Sequence, residues 1–148
     1  VRDTAEVAVR AGIRFIQFTV RPPEVADAID AYLKALTPVP SPALVNGGLS
    51  ESAKRGQALF DKAGCAACHP SPLYTDMKSH DLGTTTGMDK TKGVDTPTLV
   101  ECWRTAPYLH DGSKATLEDL LDGGRHGQFV TPLNGQDLKD VIEFVRSL

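Results

Sequence analysis

Long apolar runs are missing from this chain of 148 residues. Nowhere do 18 apolar residues stand together, which excludes a membrane-spanning helix from the segment. A charge excess is missing too. The net charge of −3, with a pI near 5.8, gives the chain nothing that would draw it to nucleic acid. Cysteine is scarce: Cys65, Cys68 and Cys102 are all there is. A zinc site would need a second pair of ligands beside Cys65 and Cys68, whereas Cys102 stands alone. The start, Val1-Arg2-Asp3-Thr4, is neither an initiator Met nor a basic, apolar signal peptide, so the segment is expected to be processed or cut from something longer.

What is present is Gly64-Cys-Ala-Ala-Cys-His-Pro, ending at Pro70. In a Cys-x-x-Cys-His run, two thiols can each add across a vinyl group of one haem while the next imidazole turns onto the iron. Cys65 and Cys68 are thus the expected attachment points of one covalent haem c, and His69 its proximal ligand. The competing readings are a redox Cys-x-x-Cys pair, half of a zinc site, or chance. A redox pair of the thioredoxin type should open the helix of a βαβ unit, and no such pattern surrounds the motif. Thioether attachment in bacteria takes place outside the cytoplasm, so a periplasmic or exported protein is expected. The odd cysteine of such a protein invites an intermolecular disulfide. Cys102, between Val100 and Trp103, is instead read as a small buried hydrophobe.

Around the motif the pattern is helical. Thr4 can cap a first helix that ends at Gly12, and Phe15, Ile16, Phe18 and Val20 suggest a short extended stretch. Pro22-Pro23 open a helix with Val25, Ala28, Ile29, Tyr32, Leu33 and Leu36 on one face, a stripe expected to pack onto something. The Pro-rich run from Thr37 to Pro42 reads as a stiff linker. Ser50 is a good N-cap for a helix to about Asp61, closed by Gly64, in which Gly56 offers close backbone approach at a helix crossing. Residues 71–92 read as a long loop over the haem edge. A helix is expected from near Thr98, carrying Leu99, Cys102 and Trp103. Another is capped by Thr116, and the last starts from Asn134 and presents Leu138, Val141, Ile142, Val145 and Leu148. The fold class is therefore all-α, a helical domain around one haem with long irregular loops.

Sliding the chain by 112 residues, the offset that lays Leu36 on Leu148, superposes Thr4 on Thr116, Glu6 on Glu118, Gly12 on Gly124 and Tyr32 on Phe144. Such self-similarity suggests that residues 1–36 are the back end of a preceding copy, 37–49 a linker, and 50–148 the monohaem domain. Chance matching of two amphipathic helices is the alternative.

At Asp95-Thr-Pro-Thr-Leu, Trp103-Arg-Thr-Ala-Pro-Tyr-Leu-His-Asp-Gly-Ser, Ala115-Thr-Leu-Glu-Asp and the closing helix, the sequence resembles the bacterial dihaem cytochrome c peroxidase and MauG superfamily. It is most similar to the C-terminal haem domain, from about Leu49 to Leu148. The resemblance implies a cytochrome c fold and a duplicated, two-haem parent, in which this haem takes up electrons while the other reacts with peroxide. It also implies that Trp103, Arg104, Tyr108 and His110 neighbour the haem, Arg104 as a propionate partner. The residues alone leave Trp103 readable as core and Arg104 as solvated surface. The carbonyls of Thr105 and Pro107 match positions that help bind calcium between the two haems, but a further ligand comes from the other domain.

Besides His69, only two methionines and three histidines can supply a second axial ligand. The chain must pass around a rigid macrocycle before returning to its far face, which disfavours Met77 and His80. The family's distal Met position falls on Gly124, which cannot ligate, and His126 is the nearest capable side chain; Met88 and His110 are the alternatives. His110 is otherwise expected to bond a propionate or a loop carbonyl. The expected function is single-electron transfer within a larger exported redox protein, with a redox partner protein or an adjacent haem or catalytic domain as its counterpart. The alternative is half of a dihaem peroxidase or MauG-like oxidase. A weaker third reading is a structural haem that docks another module.

Overall fold

A computed structural model describes residues 23–85, 90, 93–122, 126 and 133–148. The helix expected after Thr4, the extended stretch at 14–20, Met88 and Gly123-Gly124 lie outside the described residues. The chain divides into two compact units, Val1–Thr37 and Pro38–Leu148.

In the first unit, helix α1 spans Pro23–Ala35, with Pro at a position where a missing N–H costs nothing and Glu24 in the opening turn. Lys34 pairs with Asp30 one turn back at 2.7 Å. The apolar stripe Val25, Ile29, Tyr32, Leu33 and Leu36 is exposed.

The second unit is built on two crossing helices, α2 (Glu51–Ala63) and α4 (Gly135–Arg146). Ser50 caps α2 by accepting from the Ala53 N–H at 3.1 Å, and Gly64 ends it in the left-handed region at φ 90°. A Cβ at Gly56 would lie 1.9 Å from the Asp140 carbonyl oxygen and 2.9 Å from Phe144 Cβ, so only glycine lets the two backbones meet there. Around the crossing, Ala53, Phe60, Cys102, Leu117, Val141, Ile142, Phe144 and Val145 form the buried cluster. Phe60, Tyr74 and Phe144 pack edge-to-face, with centroids 5.4 to 6.2 Å apart.

One buried charge sits in this crossing. Asp140 is 2% exposed, and its carboxylate accepts from Ser52 Oγ (2.5 Å), Gln136 Nε2 (2.9 Å) and both ends of the Arg55 fork (2.7 and 2.9 Å). These donors, Arg55 first, hold the carboxyl well below the ordinary carboxylate range.

The remaining elements are short. Helix α3 (Leu117–Leu121) is capped by Thr116, whose hydroxyl accepts from the Asp119 N–H at 3.0 Å. Asn134 occupies the N-cap of α4 without a side-chain bond. Within 71–85, read as loop throughout, Ser79–His80 forms β1 and pairs antiparallel with β2, Val94–Asp95, placing Ser79 opposite Asp95 and His80 opposite Val94. The helix expected from Thr98 is instead a pair of turns and a 3-10 turn over Cys102–Arg104. Two local features stop it: the Thr98 hydroxyl accepts from the Val100 N–H, and Glu101 is left-handed at φ 62°. The Pro-rich stretch is anchored to the second unit. The Val39 N–H donates to the Glu101 carboxylate, and Ser41 Oγ donates to the Arg146 carbonyl at 2.5 Å. Among the described residues no helix is long and apolar enough to cross a membrane.

Gly56→Ala should destabilise the protein by about 3 kcal/mol in urea unfolding, because the methyl meets backbone rather than a side chain that can swing away. Asp140 contributes stability above its unfolded pKa of about 3.9 and loses it as pH falls towards its lower folded value. The urea midpoint of the parent should therefore drop below about pH 4. Asp140→Asn should start from a lower midpoint at neutral pH and show a shallower acid decline.

Candidate haem site

The attachment motif grows directly out of α2. After Gly64 turns the chain, Cys65–Ala67 forms a 3-10 turn, and the N–H groups of Cys68 and His69 both return to the Cys65 carbonyl, at 3.3 and 3.0 Å. Burial pushes the Cys65 thiol up to about 11, and burial, then Asp76, raises Cys68. A redox Cys-x-x-Cys pair needs its nucleophile lowered instead. Cys68, Asp76 and His80 bring ligand atoms within 4.8 Å of one another, but His80 Nε2 and Asp76 Oδ2 already satisfy each other at 2.8 Å. That bond to His80 holds Asp76 down to about 2.

His69 is 7% exposed, and its Nδ1 lies 2.9 Å from the Tyr74 carbonyl oxygen. A carbonyl can only accept, so Nδ1 carries the proton and the Nε2 lone pair is left for a metal. Burial depresses the pKa of His69 against the opposing pull of that carbonyl. Across from it stands His126: the two rings are within 24° of parallel, with centroids 6.2 Å apart. Burial, then His69, depresses the pKa of His126. Both rings are therefore kept neutral, the form in which imidazole binds metal. Two imidazoles bound to opposite sides of one metal at about 2 Å place their ring centres about 6 Å apart.

Three buried polar side-chain atoms have no partner among the described residues: His126 Nδ1, Trp103 Nε1 and Thr84 Oγ1. Groups of this kind are normally satisfied, and each costs about 1–3 kcal/mol when it is not. An orphaned imidazole nitrogen together with indole and hydroxyl donors suits a group that carries both a metal and carboxylates. The residues present thus fit a haem.

Other expected neighbours divide. Tyr108 packs against the core and donates through its hydroxyl to the Cys102 carbonyl at 3.0 Å. Trp103 is half-buried, whereas Arg104 is exposed and paired with Glu101 at 2.5 Å. His110 is exposed, as is Met77 at 75%. Cys102 is buried, donates to the Val145 carbonyl at 3.6 Å, and is pushed up to about 11 by burial, as read from its apolar neighbours. Thr84 and Tyr74 carried no sequence signal. A hydroxyl in a polar loop and a backbone carbonyl look the same whether or not anything binds them.

Comparison with known proteins bears on the fold and the cofactor class. A family model described as RoxA-like, cytochrome c-like matches residues 93–129. The chain is 41% identical over 124 residues to the methylamine utilization protein MauG of Methylorubrum extorquens, covering 68% of this chain and 35% of MauG. Over 171 residues it is 29% identical to hydrazine synthase subunit gamma of Kuenenia stuttgartiensis, covering 82% and 48%. Over 166 residues it is 31% identical to the cytochrome c peroxidase IdrP1 of a Pseudomonas species, covering 74% and 44%. A solved structure of the Kuenenia stuttgartiensis hydrazine synthase superposes with a TM-score of 0.69 at 28% identity, over 86% of this chain and 56% of that one. The chain thus spans about a third to a half of the length of the curated relatives it matches. Relatives and fold together imply a c-type haem, and the chain belongs to the cytochrome c peroxidase and MauG superfamily as a cytochrome c-like domain.

Proposed function

We propose that this domain carries one haem, attached through Cys65 and Cys68 and held between His69 and His126, and that it serves single-electron transfer. The observation that carries the reading is the pair of near-parallel imidazoles 6.2 Å apart, one with Nδ1 engaged by the Tyr74 carbonyl. A haem held in this way supplies reversible one-electron chemistry at low potential, since imidazole lowers the potential relative to a Met ligand. The chain's own part is to fix both rings, exclude water behind Phe60, Tyr74 and Phe144, and keep both imidazoles neutral. Trp103 Nε1 and Thr84 Oγ1 are the donors that carboxylates of the group would satisfy.

The rest of the reading concerns the larger protein. Residues 1–36 are the back end of a preceding repeat, so a second haem domain of the parent chain or a separate redox protein is the electron partner. Its compartment is periplasmic or otherwise exported. Calcium would be shared with the other domain through the carbonyls of Thr105 and Pro107. A second reading, half of a peroxidase or MauG-like oxidase, is favoured by the names of the relatives. It would need an open iron in this or the partner domain.

Absorption spectroscopy of the protein matured in a competent host tests both. A low-spin ferric spectrum unchanged by cyanide, CO or peroxide is expected, and a high-spin site that binds them would overturn the electron-transfer reading. His126→Ala should convert the site to a high-spin form that binds CO when reduced. If the spectrum of that variant stays six-coordinate and low-spin, His126 is not the ligand.

A further inference from the structure

Tyr74, whose carbonyl orients His69, is itself in the left-handed region at φ 51°. A bulky residue adopts that conformation only where its surroundings over-determine it. The surroundings here are two threonines arranged reciprocally. Thr75, on the same segment, donates through Oγ1 to the Thr96 carbonyl at 2.6 Å and accepts from the Met77 N–H at 3.0 Å. Thr98, on the facing segment, donates through Oγ1 to the Leu73 carbonyl at 2.5 Å and accepts from the Val100 N–H at 3.1 Å. Each hydroxyl is thus aimed by a backbone N–H two residues on and crosses to the other segment. The two bonds grip the residues on either side of Tyr74. Between them the Leu99 N–H donates to the Tyr74 carbonyl at 3.3 Å, the same oxygen that receives His69.

We propose that Thr75 and Thr98 are positioning residues for His69, which fix the Tyr74 carbonyl against its Nδ1–H and thereby set the electron donation of this imidazole. A proximal imidazole whose N–H is firmly bonded is a stronger base and favours the oxidised metal. Loosening the clamp weakens that bond and shifts the balance towards the reduced form. The proposal rests on His69 being an axial ligand.

Thr75→Val and Thr98→Val keep the side-chain shape and remove the hydroxyl, while Thr75→Ser and Thr98→Ser keep the hydroxyl. In holoprotein equilibrated with a redox mediator, each Val variant should shift the reduced-to-oxidised ratio about threefold towards reduced, on a scale where tenfold is 59 mV for one electron. The double Val variant should shift it further. Hyperfine-shifted haem methyl resonances should move with the ratio, and the Ser variants should restore the parent values. The proposal is overturned if folded Val variants keep the parent ratio and resonances, or if Ser variants move as far as Val. Should one Val variant fold poorly, the other Val variant and its Ser counterpart carry the test: a shift in Val restored in Ser supports the clamp, and an unshifted Val sinks it. A parent protein lacking a His69-ligated haem would instead sink the underlying functional reading, and its own spectrum reveals that first.

Discussion

The domain depends on two backbones meeting where α2 crosses α4. Gly56 removes the side chain that would keep them apart, and Asp140 stands on the facing helix with its carboxylate fully bonded. That contact brings Phe144 against Phe60, and Phe60 against Tyr74. The aromatic cluster in turn backs His69 in one cleft. Helix packing and cofactor geometry are therefore the same problem in this chain. The helix that is locked by the crossing ends, one glycine later, at the first attachment cysteine.

The chemistry of the site follows from burial more than from charge. Burial lowers the pKa of both imidazoles, raises the cysteine thiols, and leaves an indole and a hydroxyl donor without partners among the described residues. A protein that folded around nothing would not retain several such costs in one domain. Two facing imidazoles and unpartnered indole and hydroxyl donors together fit a group that carries a metal and carboxylates.

Much of this was legible in the sequence because the signals are local. Ser50, Gly64 and Thr116 announce helix ends by their own side chains or by lacking one, and the Cys65-to-His69 spacing is a chemical signature within five residues. Gly56 could be read as a crossing point because a glycine inside an amphipathic helix otherwise only weakens it. His126 was reached by position within a resembling family, and the structure sets its ring opposite His69. What was not legible is non-local. The pairing of β1 with β2 involves two residues on each side, too few to leave a period. The helix expected from Thr98 failed because Glu101 is left-handed and because the Thr98 hydroxyl, held by the Val100 N–H, crosses to the Leu73 carbonyl, a partner invisible to a window of neighbours. The pairing of Arg104 with Glu101, whose other oxygen holds the Val39 N–H, was likewise not legible.

The burial of Cys102 bears on how such a molecule is made. Three thiols can join in three pairs, two of which involve Cys102. Once α4 has closed over the third sulfur and its carbonyl partner at Val145 is in place, that thiol is sealed from oxidants and from its two competitors. Packing of α4 over Cys102 thus withholds one of the three thiols from disulfide exchange, while Cys65 and Cys68 stay only half-buried.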